Sequence, residues 1–223
     1  MKDSFRVLLF LGLVFFASAF IPASEPGGKK SAVSLLSQWG SVNGTTAKFG
    51  CHSKLPDEGL ALLSALPELQ EVDVISDEIS DEGLKHLMAL PQLRNLSLNS
   101  GKISSKGMQH LKALTQLEHL SLMRCQFTNE DLSQLKALKN LRTLSLWRLP
   151  ISGRGLAHLE ILPELRELSL GQTRFAYEDL LSITRLQQIE RVYVGDVAIT
   201  REQIQELKNA LPKAEVQIQL SGQ

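Results

Sequence analysis

Written in rows of 24 residues, the chain aligns with itself, and a period of that length admits few folds. Gly59, Gly83, Gly107 and Gly155 share one column, joined by Asp131, Asp179 and Gln203. The next column is Leu60, Leu84, Met108, Leu132, Leu156, Leu180 and Ile204. Leucines then recur at steps of three, as in Leu111, Leu114 and Leu117, before a pair at spacing two, Leu120 and Leu122. Steps of three suit one face of a helical turn, and the step of two suits a short strand with one buried face. Ser80, Ser104, Thr128, Ser152 and Thr200 stand just before the helical part, where a hydroxyl accepts from free N–H groups. Pro67, Pro91, Pro163 and Pro212 follow it and stop it. One row has too little core of its own, so rows must stack and pool their leucines. The expectation is an α/β solenoid, with parallel strands on a concave face and short helices on the convex one.

The rows resemble the leucine-rich-repeat family, whose pattern is LxxLxLxx(N/C/T)x(I/L) followed by a helical half. The stretch from Leu117 through Leu120, Leu122 and Cys125 to Phe127 matches closely, as does Leu165 through Leu168, Leu170 and Thr173 to Phe175. The resemblance covers residues 57–220 and implies a fold more than a function, because this fold carries many unrelated binding roles. Asp77, Gly101, Leu149 and Val197 depart from the pattern where Asn, Cys or Thr is expected, so the buried polar ladder there is expected to be incomplete and the turns at Leu149 and Val197 less regular.

Lys2 and Arg6, the apolar run Val7–Phe16 and the Ala17-Ser18-Ala19 triplet have the layout of a secretory signal peptide. The run is short of the ~20 residues of a membrane-spanning helix; an uncleaved anchor is the alternative. The expected organisation is a leader at 1–24, a flexible linker at 25–30, an N-terminal cap at 31–56, six repeats over 57–200 and a C-terminal cap at 201–223. Within the first cap, Ser31–Trp39 is expected as a short amphipathic helix and Thr45–Cys51 as an irregular edge strand with Ala47 and Phe49 facing inward. Lys plus Arg and Asp plus Glu both number 24, so nothing in the charge points to nucleic acid. Cys51 and Cys125 are too far apart in the stack to pair, and no disulfide is expected. Asn43-Gly44-Thr45 and Asn95-Leu96-Ser97 match the glycosylation sequon.

The concave sheet is the usual binding surface of such solenoids. Its outward columns are Asp73, Ser97, Ser121, Ser145, Ser169 and Tyr193, then Ile75, Asn99, Met123, Trp147, Gly171 and Gly195. His119 lies in one flanking column, and Ser76, Ser100, Arg124, Arg148, Gln172 and Asp196 form the other. Met123 and Trp147, with Arg124 and Arg148 beside them and His119 close by, have hot-spot composition. The competing reading folds Trp147 over its own sheet beside Gly171. Binding is therefore assigned to Met123, Trp147, Arg124, Arg148, His119, Ser121, Ser145 and Tyr193. His86, His110 and His158 share a helix column but offer too few neighbouring ligands for a metal. No Gly-rich phosphate loop, nucleophile elbow or paired-carboxylate motif is present, so neither an enzyme nor a cofactor is expected. The expected role is an exported, non-enzymatic module that binds a protein, or else a glycan, through its concave face. A structural part of the cell envelope is the second reading. An adaptor like those of ubiquitin ligases is the third, with no recruiting domain to support it.

Overall fold

A computed structural model describes residues 26–50, 53–173 and 175–221. The expected leader, residues 1–24, and Cys51 lie outside them. Each row contributes one strand: β3 (Glu71–Ile75), β4 (Asn95–Asn99), β5 (His119–Met123), β6 (Thr143–Trp147), β7 (Glu167–Gly171), β8 (Arg191–Val197) and β9 (Glu215–Leu220). They lie side by side in chain order, all parallel. Leu96 pairs with Leu120, which pairs with Leu144 and in turn with Leu168, so every strand repeats the last one 24 residues on. That in-register stacking carries the leucine columns into one continuous core: Leu98, Leu122, Leu146 and Leu170 are at most 1% exposed.

Ahead of β3 stand two further strands, β1 (Ser41–Asn43) and β2 (Thr46–Phe49). β2 pairs parallel with β3 and buries Ala47 and Phe49, as the alternation of that stretch requires. It is not the edge, however. β1 pairs with it antiparallel across a two-residue loop that opens with Gly44 at φ +59°. A second departure lies just upstream, where a helix spans Pro26–Leu36 and takes in most of the segment expected as a flexible linker. Proline suits a first helical turn, since its missing N–H has no partner there anyway. Lys29 forms an ion pair with Glu68, tying this helix to the first row.

The outer side follows from the step of three. A pure α-helix, at 3.6 residues per turn, carries such a column off its face, whereas a 3₁₀ turn at three per turn keeps it in line. Accordingly Asp57–Leu62, Asp81–Leu84, Gly153–Ala157 and Tyr177–Leu180 are short α-helices that run directly into 3₁₀ turns, and Asp131–Ala137 is 3₁₀ throughout. Ser80, Ser104 and Thr200 accept from backbone N–H groups as expected caps, and Thr200 with Gln203 closes a full capping box. Thr128 and Ser152 do not cap. Their groups are taken by Asp131 and Asn129, respectively.

These two exceptions belong to a pattern that links successive rows. Asp57 accepts from Ser80 N and Oγ of the next row at 2.8 and 2.5 Å, and Asp81 accepts likewise from Ser104 at 2.7 and 2.6 Å. Asn129 does the same for Ser152 N at 2.8 Å. Each of these side chains lies where a Cβ in the glycine column would stand: 2.2 Å from one on Gly83, 2.6 Å from one on Gly107 and 2.7 Å from one on Gly155. Where the column holds an acid instead, the previous row is small. Ser105 donates to Asp131 at 2.5 Å, and Gly153 N donates to Asp179 at 2.8 Å. At each of these five steps one polar side chain bridges the rows, supplied from one side or the other.

Gly107→Asp is therefore expected to set two carboxylates against each other and to lower stability by about 2–4 kcal/mol. The double variant Asp81→Ser, Gly107→Asp copies the Ser105–Asp131 step and is expected to recover most of that loss. Urea unfolding followed by far-UV circular dichroism reads both.

Candidate functional site

The floor of the concave sheet is the serine column. Ser97, Ser121 and Ser145, with Glu71, Asp73, Asn95, His119 and Thr143, line a shallow trough of 240 Å³. Thr143 also borders a second hollow of 170 Å³, shared with Glu167, Ser169, Arg191, Tyr193, Glu215 and Gln217, so the two run on across the strands. His119 is exposed at the rim. This floor is open because serine is the smallest hydroxylated side chain and four successive rows repeat it, Ser97, Ser121, Ser145 and Ser169.

Met123 and Trp147 are adjacent in register, and both are half-buried rather than free in solvent. The Trp147 ring occupies the space that a side chain at position 171 would fill: a Cβ there would lie 2.6 Å from its Cε3 and Cζ3. Its Nε1 donates to Ser169 Oγ at 3.1 Å. Tyr193, two strands away, lies against Gly195 of its own strand, 3.0 Å from where a Cβ there would stand, and donates its hydroxyl to Gln219 Oε1 at 2.6 Å. The two rings are nearly parallel, 10° between planes with 5.9 Å between centroids. Trp147 is thus folded onto the sheet beside Gly171, and joined there by Tyr193 into an aromatic shelf.

The flanking column does not behave as one surface. Arg124, Arg148, Gln172 and Asp196 have φ of +60°, +53°, +50° and +61°, a conformation that side chains other than glycine seldom adopt. This left-handed turn sends the next residue inward, and Cys125, Leu149, Thr173 and Val197 are all buried. In the first two rows the turn differs. Ser76 and Ser100, expected on the concave rim, are themselves buried at 4% and 1% exposure. Their hydroxyls donate to Leu55 O and Ile79 O at 2.8 Å. The polar ladder expected to fail at Asp77 and Gly101 is supplied one position earlier, by serine. At Val197 the β8–β9 register does shift.

Nor do the two arginines ring Met123 and Trp147. Arg124 reaches back toward earlier rows, donating Nε to Asn99 Oδ1 at 2.5 Å and Nη2 to Asp77 Oδ1 at 2.8 Å. Asn99 in turn donates Nδ2 to Met123 Sδ at 3.0 Å. Arg148 turns the other way, to Gln172. Arg191 is paired with Glu167. The structure therefore brings together Met123 with Asn99, and Trp147 with Tyr193, Ser169 and Gln219. Asn99 and Asp77 were read only as members of their columns and Gln219 not at all; none of the three was assigned to the site. The adjacent glycines Gly171 and Gly195, beside a tryptophan column, were the available signal for the shelf.

Elsewhere, burial pushes the Cys125 thiol up to about 12, which keeps it protonated. Among the described residues no group of three or more His, Cys, Asp or Glu side chains converges on a metal position, and no helix is long and apolar enough to cross a membrane.

No family model matches the chain, and no curated protein does. Solved structures do. An internalin C2 from Listeria monocytogenes matches with a TM-score of 0.55 at 17% identity, over 88% of this chain and 86% of that one. A second internalin from that organism, inlF, matches with a TM-score of 0.50 at 20% identity, over 73% of this chain and 52% of that one.

Two outcomes test this geometry. With Cys51 replaced by Ser, the remaining thiol is expected to stay silent to a thiol reagent at pH 8 until the chain is unfolded, since the thiolate is the reactive form. Gly171→Ala is expected to lift the Trp147 ring and shift its emission to the red, at a cost of about 1 kcal/mol in stability.

At identities this low the likeness establishes a fold, and that fold is the leucine-rich-repeat solenoid that the internalins also have.

Proposed function

We propose that this chain is an exported, non-enzymatic module that holds a protein partner across its concave sheet. The observation that carries the reading is the shelf of Trp147 and Tyr193 beside Met123, next along the strands to an open floor of serine hydroxyls. Large aromatic and methionine side chains left half-exposed on a rigid sheet supply contact area at little entropic cost, which is what a binding hot spot requires. A likeness to internalins supports a role in interaction. Export rests on the signal-peptide layout of residues 1–24. His119, Ser121 and Ser145 offer hydrogen bonds along the trough, and Arg148 offers an exposed charge next to Trp147; Arg124 serves mainly to hold Asn99 and, through it, Met123.

The test is capture from the host's extracytoplasmic fraction by the wild-type chain and by a Met123→Ala, Trp147→Ala, Tyr193→Ala variant shown by circular dichroism to be folded. A protein retained by the wild type and lost by the variant is the expected result. Equal capture by both moves the contact off the concave sheet. No capture by either favours a structural role in the cell envelope.

A further inference from the structure

We propose that the Trp147–Tyr193 shelf is a saccharide subsite that takes a neutral hexopyranose ring. The proposal rests on the reading of the concave sheet as the binding face and names the chemistry recognised there. Four features of the site point to it.

The first is how the rings are held. Glycine at positions 171 and 195 lets both lie where side chains would otherwise stand, and a Cβ at 195 would come within 3.0 Å of Tyr193 Cε1. The polar edge of each ring is already bonded, Trp147 Nε1 to Ser169 and Tyr193 Oη to Gln219. Rings fixed from below and at the edge lose little freedom on binding, so their faces are ready for a flat partner. The second is orientation. The two rings are stacked with planes only 10° apart, so they share one orientation across three strands, and the outward, electron-rich side of the stack is offered to C–H groups, whose hydrogens carry a slight positive charge. A pyranose ring presents a patch of such C–H groups on one side and hydroxyls around its rim.

The third feature is charge. Arg191, the one cation among the described residues that line the hollow, is paired with Glu167, and Arg148, bonded to the neutral Gln172, is not part of that lining. Glu215 lines the same hollow. The described residues that line the hollow thus carry one acid more than base, which disfavours a phosphate, sulfate or uronate, and a stacked nucleotide lacks the basic groove its backbone needs. The fourth is what surrounds the rings. Thr143, Ser169 and Gln217 border the hollow, and the trough continues past Ser145, Ser121 and Ser97, where hydroxyls recur at the strand spacing of ~4.8 Å. Neutral donor–acceptor groups at regular intervals fit a chain of hydroxylated rings better than a peptide, whose backbone would seek a free strand edge. The ring recognised belongs either to a glycan on the protein partner or to a free polysaccharide.

The chain has two tryptophans, so in a Trp39→Phe background the emission reports on Trp147 alone. The full chain is titrated with neutral hexasaccharides of glucose in β-1,4, β-1,3 and α-1,4 linkage and of N-acetylglucosamine, with a hexuronate oligomer as the acidic comparison. A saturable emission change with at least one neutral sugar is expected, weakened roughly tenfold or more by Tyr193→Ala. Tyr193→Phe, which keeps the ring, is expected to stay close to wild type. Circular dichroism confirms that each variant is folded, and calorimetry with Trp147→Ala checks that the heat is lost with the ring. No saturation by any neutral sugar at millimolar concentration overturns the proposal, as does tighter binding of the hexuronate. Sugar binding without protein capture supports the shelf and makes a free polysaccharide the source. Protein capture that resists enzymatic deglycosylation of the partner, together with no sugar binding, removes the shelf proposal and leaves the protein-binding reading intact.

Discussion

Each row of this chain is held one strand spacing from the next by a parallel hydrogen-bond ladder, and nearly every other feature follows from that spacing. A 24-residue unit with one short strand and a turn or two of helix cannot shield its own leucines from water. Stacked in register, it lays Leu96 on Leu120 and Leu120 on Leu144, and each row covers the core of its neighbour. The same register copies the solvent face. Hydroxyls at Ser97, Ser121, Ser145 and Ser169 form a line because their buried neighbours do, and a binding surface comes with the core at no separate cost in fold.

Most of the architecture was legible in the sequence because repetition averages out local ambiguity. Any single run such as Leu120-Ser-Leu122 is a weak strand signal, but seven in one column are not. What escaped was whatever happens once. The β1–β2 hairpin has an Asn43-Gly44 turn signal, yet with no second copy it read as a sequon and an irregular edge. The helix was read from Ser31 onward, but its start at Pro26 hid behind the composition of a linker. The exchange of Ser76 and Ser100 for the ladder position was invisible because column alignment assumes that equal positions have equal φ. Four rows have a left-handed residue where these two do not.

The site was only partly legible, for a related reason. A column assigns each side chain a face but says nothing of where a long side chain then goes. Arg124 and Arg148 occupy one column and point in opposite directions along the stack, because Asn99 and Asp77 lie behind one and Gln172 ahead of the other. Trp147 reaches sideways only because its next neighbour is glycine. The reach of the large residues was decided by the small ones.

The alternation of acids and small residues at the helix starts has a bearing on how such a chain can change. Rows look interchangeable when only leucines are compared, but each carries a polarity: it either offers a carboxylate or amide to the next row or receives one. A row that offers, set before a row that also brings its own acid, places two carboxylates in one gap; a row that does neither leaves serine or threonine N–H groups unbonded. Gain or loss of a single row is therefore tolerated only at some joints, and the order of the stack, not only its length, is part of what the sequence encodes.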